Sequence, residues 1–318
     1  MTIDSRKAIK SITLFFIFLF LSAIVLWEVK LFSNVLGEFF YEKSVASASD
    51  SLRTGAIKKP EINPTAQQEK YSNKINAKSF ISVRIKKNKT KEGREILFSQ
   101  NEEEKLPIAS LTKLMTTLVV FKNYDLSEKI IIGKSADSQV DQQSNLKEGE
   151  IFSVENLLYM TLIESNNMAT ELLSEVVGEN NFIGLMNAEA QKLNLINTHF
   201  EDTTGLNSKS YSTADDLAKL SEYLFKNYPL FSKIIGLKEF NLYLDDGSFH
   251  HKLVNTNKLL GEVDGVIGGK TGWTDIARGC FMIISRLSGD DDYFIHIILG
   301  AEDRFLEMEK LISAVDIK

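Results

Sequence analysis

Residues 12–27 read ITLFFIFLFLSAIVLW, an apolar run without a charge, and Arg6, Lys7 and Lys10 precede it. A basic stretch ahead of an apolar helix is the pattern of an N-terminal signal or anchor. Ser11 and Val29 extend the run toward the length a bilayer requires. The pattern predicts a single transmembrane helix over 11–29, with 1–10 as a cytoplasmic tail and the remainder outside. The nearest small-x-small cleavage candidate, Ala46-Ser47-Ala48, lies too far downstream for a cleaved signal, which favours an anchor. Val29, Phe32, Leu36 and Phe39 follow at helical spacing, and residues 44–75 are polar with Pro60 and Pro64. Residues 30–75 therefore read as a juxtamembrane segment and linker, and 76–318 as one folded domain.

Within that domain the period changes three times. Ile81, Val83 and Ile85 alternate with polar residues, predicting a strand with Ile96-Leu97-Phe98 as its hairpin partner. Pro107-Ile108-Ala109-Ser110 leads into LTKLMTTLVVF, a buried helix. Ser153 is placed to cap a helix bearing Val154, Leu157, Leu158 and Leu162. Two more helices are expected from about 167 to Gly178 and from Asn181 to Lys192, and Thr213 with Asp216 makes a capping pair for ADDLAKLSEYLF. Strands return around Asp246-Gly247, a hairpin signal. Gly265–Thr271, Cys280–Arg286 and Tyr293–Leu299 are expected as three successive antiparallel strands, turned by Gly289 and Asp290–Asp292, and a helix over 302–316 closes the chain. Strands at both ends around a helical middle predict an α+β fold with an antiparallel sheet and a mainly helical subdomain.

Net charge is −6, which argues against a nucleic-acid partner. The one cysteine, Cys280, opens an apolar strand and reads as a buried thiol. The four histidines, 199, 250, 251 and 296, match no metal-ligand spacing, and no G-x-S-x-G elbow is present. His250 and His251 are adjacent and are expected to point to opposite sides of a strand. No metal and no other cofactor is expected.

The candidate chemistry lies in three short motifs in order: Ser110-Leu-Thr-Lys113, Ser165-Asn-Asn167 and Lys270-Thr271-Gly272. A second S-x-x-K, Ser144-Asn-Leu-Lys147, sits in a polar stretch where its lysine would be solvated. Ser110 instead stands where the chain enters an apolar helix, with unpaired backbone N–H groups to hold an oxyanion. Lys113 lies one turn on, desolvated by the helix, and could take the serine proton. Ser165 would relay protons, and Asn167 would bind a substrate amide. Gly265, Gly268 and Gly269 permit close approach of a peptide along the strand that carries Lys270. Lys270 and Thr271 would meet a terminal carboxylate, with Gly272 beside them and the Trp273 N–H as a second oxyanion donor.

With these motifs the chain resembles the low-molecular-weight penicillin-binding proteins, serine D-Ala-D-Ala carboxypeptidases of the S11 type. Pro107-Ile-Ala-Ser110, Asp202-Thr-Thr-Gly205-Leu206, Ser212-Thr-Ala214 and Asn255-Thr-Asn-Lys-Leu-Leu260 extend the likeness over about 78–318. The resemblance implies the β-lactamase/transpeptidase-like fold and acyl-enzyme chemistry at Ser110. It further implies stem peptides ending in D-Ala-D-Ala as substrate, β-lactams as acylating inhibitors, and an extracytoplasmic, membrane-held catalytic domain. Asn166 and Arg278 depart from the family pattern, which favours smaller residues at both places. The alternatives are a D,D-endopeptidase on the same scaffold, a class A-like β-lactamase, and a catalytically silent wall-binding domain. A β-lactamase would need a glutamate base in an E-x-x-L-N loop, whereas Glu201 stands in EDTTGLN, with two extra residues.

Overall fold

The computed structural model describes residues 75–86, 93–133, 145–287 and 292–316. The expected anchor at 11–29, its flanks, Ser144 and the turn at 289–291 lie outside them. Among the described residues no helix is long and apolar enough to cross a membrane.

The strands are β1 Ser79–Lys86, β2 Gly93–Gln100, β3 Leu106–Pro107, β4 Lys129–Ile131, β5 Ile151–Ser153, β6 Tyr211–Ser212, β7 Glu239–Tyr243, β8 Phe249–Val254, β9 Val266–Thr274, β10 Arg278–Ser285 and β11 Tyr293–Ala301. The helices are α1 Lys113–Asn123, α2 Val154–Tyr159, α3 Asn167–Glu175, α4 Glu179–Lys192, α5 Ala214–Asn227, α6 Pro229–Ile235 and α7 Arg304–Asp316. Five strands form one antiparallel sheet in the order β2-β1-β11-β10-β9.

That sheet is covered on both faces. Ile81, Val83 and Ile85 of β1 join Met282, Ile284, Ile295 and Ile297 in a core shared with the helical body. Phe80, Phe281, Phe294 and Ile298 face the other way, onto Met308, Leu311 and Ile312 of α7. The alternation read in β1 thus holds, and the second face of the sheet is covered by α7 rather than solvated. At about 25 cal/mol per Å² of apolar surface, each such large side chain contributes roughly 2 kcal/mol.

α1 is buried all round, through Leu114, Met115, Thr116, Thr117, Leu118, Val119 and Val120. Its threonines are satisfied internally: the Thr116 hydroxyl donates to Thr203 O at 2.7 Å and that of Thr117 to Lys113 O at 2.7 Å. Unlike the expected continuous helix from Ser110, a 3-10 turn over Ala109–Thr112 precedes α1. Ala109, which opens this turn, has φ 48°, in the left-handed region.

Ser153 and Thr213 cap as expected, accepting from Asn156 N and Asp216 N at 3.1 Å each. Asp216 does not reach back to complete the pair; its carboxylate accepts from Asn197 N and Thr198 Oγ1, both at 2.9 Å. The hairpin β7–β8 forms where Asp246-Gly247 predicted it, but its pairing skips His250. Leu242 faces His251 and Tyr243 faces Phe249. This bulge turns the two histidines to the same side, correcting the expected opposition.

Candidate active site

Ser110 is carried by the 3-10 turn between β3 and α1. Two glycines let backbone close on it. Gly205 has φ +88°, and a Cβ there would lie 1.9 Å from Ala109 O. A Cβ on Gly272 would lie 2.9 Å from Ser110 N. Neither position has room for a side chain, so the Asp202–Asn207 loop and β9 both press against the turn.

The S-x-N segment follows a π-helical turn, Met160–Glu164. The Ser165 and Asn166 amides both donate to Met160 O, which ends the turn and puts Ser165 in the left-handed region at φ 64°. Such strain on a non-glycine residue persists where the surroundings over-determine it. The departure at Asn166 has a structural reason. Its side chain caps α3, accepting from Ala169 N at 2.9 Å, which glycine or alanine cannot do. Asn167 then opens α3.

The two lysines divide this segment between them. Lys113 is 0% exposed and its Nζ donates to Ser110 Oγ at 3.1 Å, Asn167 Oδ1 at 2.7 Å and Thr204 O at 2.9 Å. Lys270 is 1% exposed and donates to Ser165 Oγ at 2.6 Å and to Thr271 O at 2.9 Å. Desolvation, reinforced by the charges of Lys113 and Arg304, holds Lys270 well below the ordinary lysine value. The Thr271 hydroxyl donates to Thr256 Oγ1 at 2.7 Å, and Thr256 N donates to Ile163 O at 3.1 Å, which ties the third motif to the second. Gly272 is buried in β9, the terminal strand of the sheet, and Trp273 stands 53% exposed beside it. All eight residues singled out in the sequence thus lie on the three adjoining segments.

Sequence reasoning missed three contributors. Asp202 Oδ2 accepts from Gly205 N at 2.7 Å and Leu206 N at 2.9 Å, and Oδ1 from Ser210 Oγ at 2.7 Å. This shapes the loop that delivers the Thr204 carbonyl to Lys113. Arg304, at the start of α7, donates to Gly272 O at 2.8 Å and brings a guanidinium charge to the cleft. Thr256 links two motifs. Asp-x-x-Gly was a turn signal for the first, and Thr256 lay in the Asn255–Leu260 stretch without a role assigned to it; a lone arginine carries no such mark. Cys280 is fully buried, its thiol pushed up to about 12 by desolvation, and stays unreactive.

Around this geometry the comparisons agree. The chain is 34% identical over 194 residues to D-alanyl-D-alanine carboxypeptidase DacF of Bacillus subtilis, covering 58% of this chain and 49% of that protein. It is 32% identical over 199 residues to the D-alanyl-D-alanine endopeptidase of Pseudomonas aeruginosa, covering 61% of this chain and 64% of that protein. The chain thus spans between about half and two thirds of these relatives. The crystal structure of the Streptomyces K15 DD-transpeptidase superposes with a TM-score of 0.69 at 27% identity, over 77% of this chain and 98% of that one. The profile of the S11 peptidases, described as D-alanyl-D-alanine carboxypeptidase, matches residues 63–303. With three quarters of its length under that match, the chain belongs to the D-alanyl-D-alanine carboxypeptidase family.

Proposed function

We propose that the protein is a serine D,D-carboxypeptidase that removes the terminal D-Ala from peptidoglycan stem peptides through an acyl-enzyme on Ser110. The observation that carries this reading is the 3.1 Å contact between the Ser110 hydroxyl and a fully buried Lys113 amine. As Oγ attacks the penultimate D-Ala carbonyl, a Lys113 amine that has given up one of its three donated hydrogens accepts the hydroxyl proton. The Ser110 and Trp273 N–H groups hold the oxyanion. The terminal D-Ala leaves as its nitrogen takes a proton through Ser165, and water then cleaves the ester. Asn167 binds the peptide amide. Arg304 makes the end of β9 positive, and the Lys270 amine and Thr271 hydroxyl add donors beside it, suited to a free carboxylate.

Glu201 speaks against β-lactamase chemistry. It is exposed and its carboxylate pairs with His199 at 2.8 Å, while the same loop gives Lys113 a backbone carbonyl. Penicillins would therefore acylate the enzyme and stay. The anchor reading also stands as a proposal: residues 11–29 hold the chain in the cell membrane with the catalytic domain outside, supported by the uncharged run and its basic flank.

The test is labelling with a fluorescent penicillin, together with mass analysis of a pentapeptide substrate. Wild type should take one label and release one D-Ala, and Ser110→Ala should do neither. Labelling that survives in Ser110→Ala removes the nucleophile assignment. Cleavage of crosslinked dimers in preference to monomeric pentapeptide would favour an endopeptidase, the activity named for the Pseudomonas aeruginosa relative.

A further inference from the structure

Beside the S-x-N turn lies a row of four titratable groups that the proposed reaction does not use. The bulge in β8 brings His250 Nδ1 and His251 Nδ1 to 2.5 Å, with the ring planes at 68°. Each outer nitrogen meets a carboxylate: His250 Nε2 lies 3.3 Å from Glu150 Oε1, and His251 Nε2 lies 3.2 Å from Glu164 Oε1. Both rings are largely buried, and Phe152 stands edge-on to His250 at 5.3 Å. The Lys147 amide holds the second oxygen of Glu150 at 2.8 Å. The other charges of the hairpin are engaged elsewhere, Lys252 with Glu239, Asp245 with Lys129 and Asp246 with Ser248. Among the described residues, no group of three or more His, Cys, Asp or Glu side chains is arranged to hold a metal.

Counting protons from the Glu164 end decides the charge of this row. The contact to Glu164 needs a hydrogen on His251 Nε2. A neutral His251 then offers Nδ1 as an acceptor, so His250 must donate from its own Nδ1. If His250 were also neutral, its bare Nε2 would face the Glu150 carboxylate, lone pair against lone pair. One further proton, on His250 Nε2, makes every contact attractive. A second further proton would set two N–H groups against each other across 2.5 Å. The row is complete with three ring hydrogens, one on each Nε2 and one shared between the two Nδ1 atoms, so that the pair carries a single positive charge between two charged carboxylates.

Glu164 is the residue immediately before strained Ser165, and Thr256, just past β8, already grips Ile163 O. We propose that His250 and His251 form a proton-sharing pair that positions the Ser165 turn through Glu164. His251 acts through Glu164 and is a positioning residue, and the one extra proton carried by the pair sets how firmly the hairpin holds. When that proton leaves, one outer Nε2 is left bare against its carboxylate, the pair loosens, and Ser165 loses its fixed place against Lys270.

The inference rests on Ser165 serving the acylation proposed above. The experiment measures the second-order rate of penicillin acylation of the full chain from roughly pH 5 to 9, the range in which imidazoles titrate. Wild type should lose rate several-fold with the departure of one proton. His250→Gln and His251→Gln should lack that limb while keeping the limbs due to other groups. A uniform loss with the profile unchanged would reduce the pair to a structural prop and overturn the proposal. Nitrogen-detected NMR of the unsubstituted protein gives a second readout that needs neither activity nor a folded variant. It should find a single positive charge carried by the two imidazoles, which titrate together with a single proton. Two independently titrating neutral rings would overturn the proposal. Wild type that takes no penicillin would defeat the acylation reading on which the pair's role depends, whereas a normal reaction with superimposable profiles would defeat only the role of the pair.

Discussion

Lys270 and Lys113 are both withdrawn from water within one cleft, and the consequences can be separated by pH. Lys270 has its folded value depressed, by desolvation first and then by the Lys113 and Arg304 charges. Between that lowered value and the usual 10.5, the unfolded chain binds a proton that the native protein does not. Native stability therefore rises with pH across this window. Lys270→Met should abolish that rise, read from urea denaturation at stepped pH. A variant with the wild-type slope would place the cost on another group. Gly272 offers a steric test of the same site. The Cβ of Gly272→Ala would crowd Ser110 N at 2.9 Å and the Ala109 Cβ at 3.2 Å. About 1–3 kcal/mol of stability should be lost, and acylation should fall by roughly tenfold or more as the nucleophile shifts. Melting temperature and penicillin labelling read the two effects, and an unchanged labelling rate would show that the turn tolerates displacement.

At the scale of elements, the sheet carries its own pH dependence. His296 of β11 is fully buried between hydroxyls, Nδ1 at 3.0 Å from Ser82 Oγ and Nε2 at 2.9 Å from Ser285 Oγ. Desolvation pushes it down from 6.5 to about 3. As pH falls through this interval the unfolded chain gains a proton that the sheet excludes. Stability is thus intact above 6.5 and declines toward 3, by about 1 kcal/mol per pH unit. His296→Gln should flatten that decline in acid-dependent denaturation. An identical acid profile would remove His296 as its source. The elements themselves were largely legible. β10 and β11 are runs of apolar residues between turn signals, and Ser153 and Thr213 announce helix starts through their hydroxyls. α6, Pro229–Ile235, was not read, because seven residues hold barely two turns of period. The start of α1 was misplaced, because a 3-10 turn over Ala109–Thr112, opened by Ala109 at φ 48°, takes up the first residues.

For the whole molecule, the proposed anchor sets where the chemistry happens. The full chain should stay with the membrane pellet through an alkaline wash, and external protease should reach the 76–318 domain. Recovery in the wash would remove the span. Hydrophobic spacing along the chain, three short motifs and their order were enough to determine an α+β domain and to name Ser110, Lys113, Ser165, Asn167, Lys270, Thr271, Gly272 and Trp273, because period and residue type are local properties. Which hydroxyl meets which amine was decided only by tertiary structure. Lys113 turns to Asn167 and Lys270 to Ser165 across 54 and 105 residues of chain. The same holds for Arg304 beneath Gly272, for α7 covering the second face of the sheet, and for the bulge that sets His250 beside His251. Each depends on surfaces brought together from distant parts of the chain, where close packing and the need to satisfy buried polar groups choose the partner.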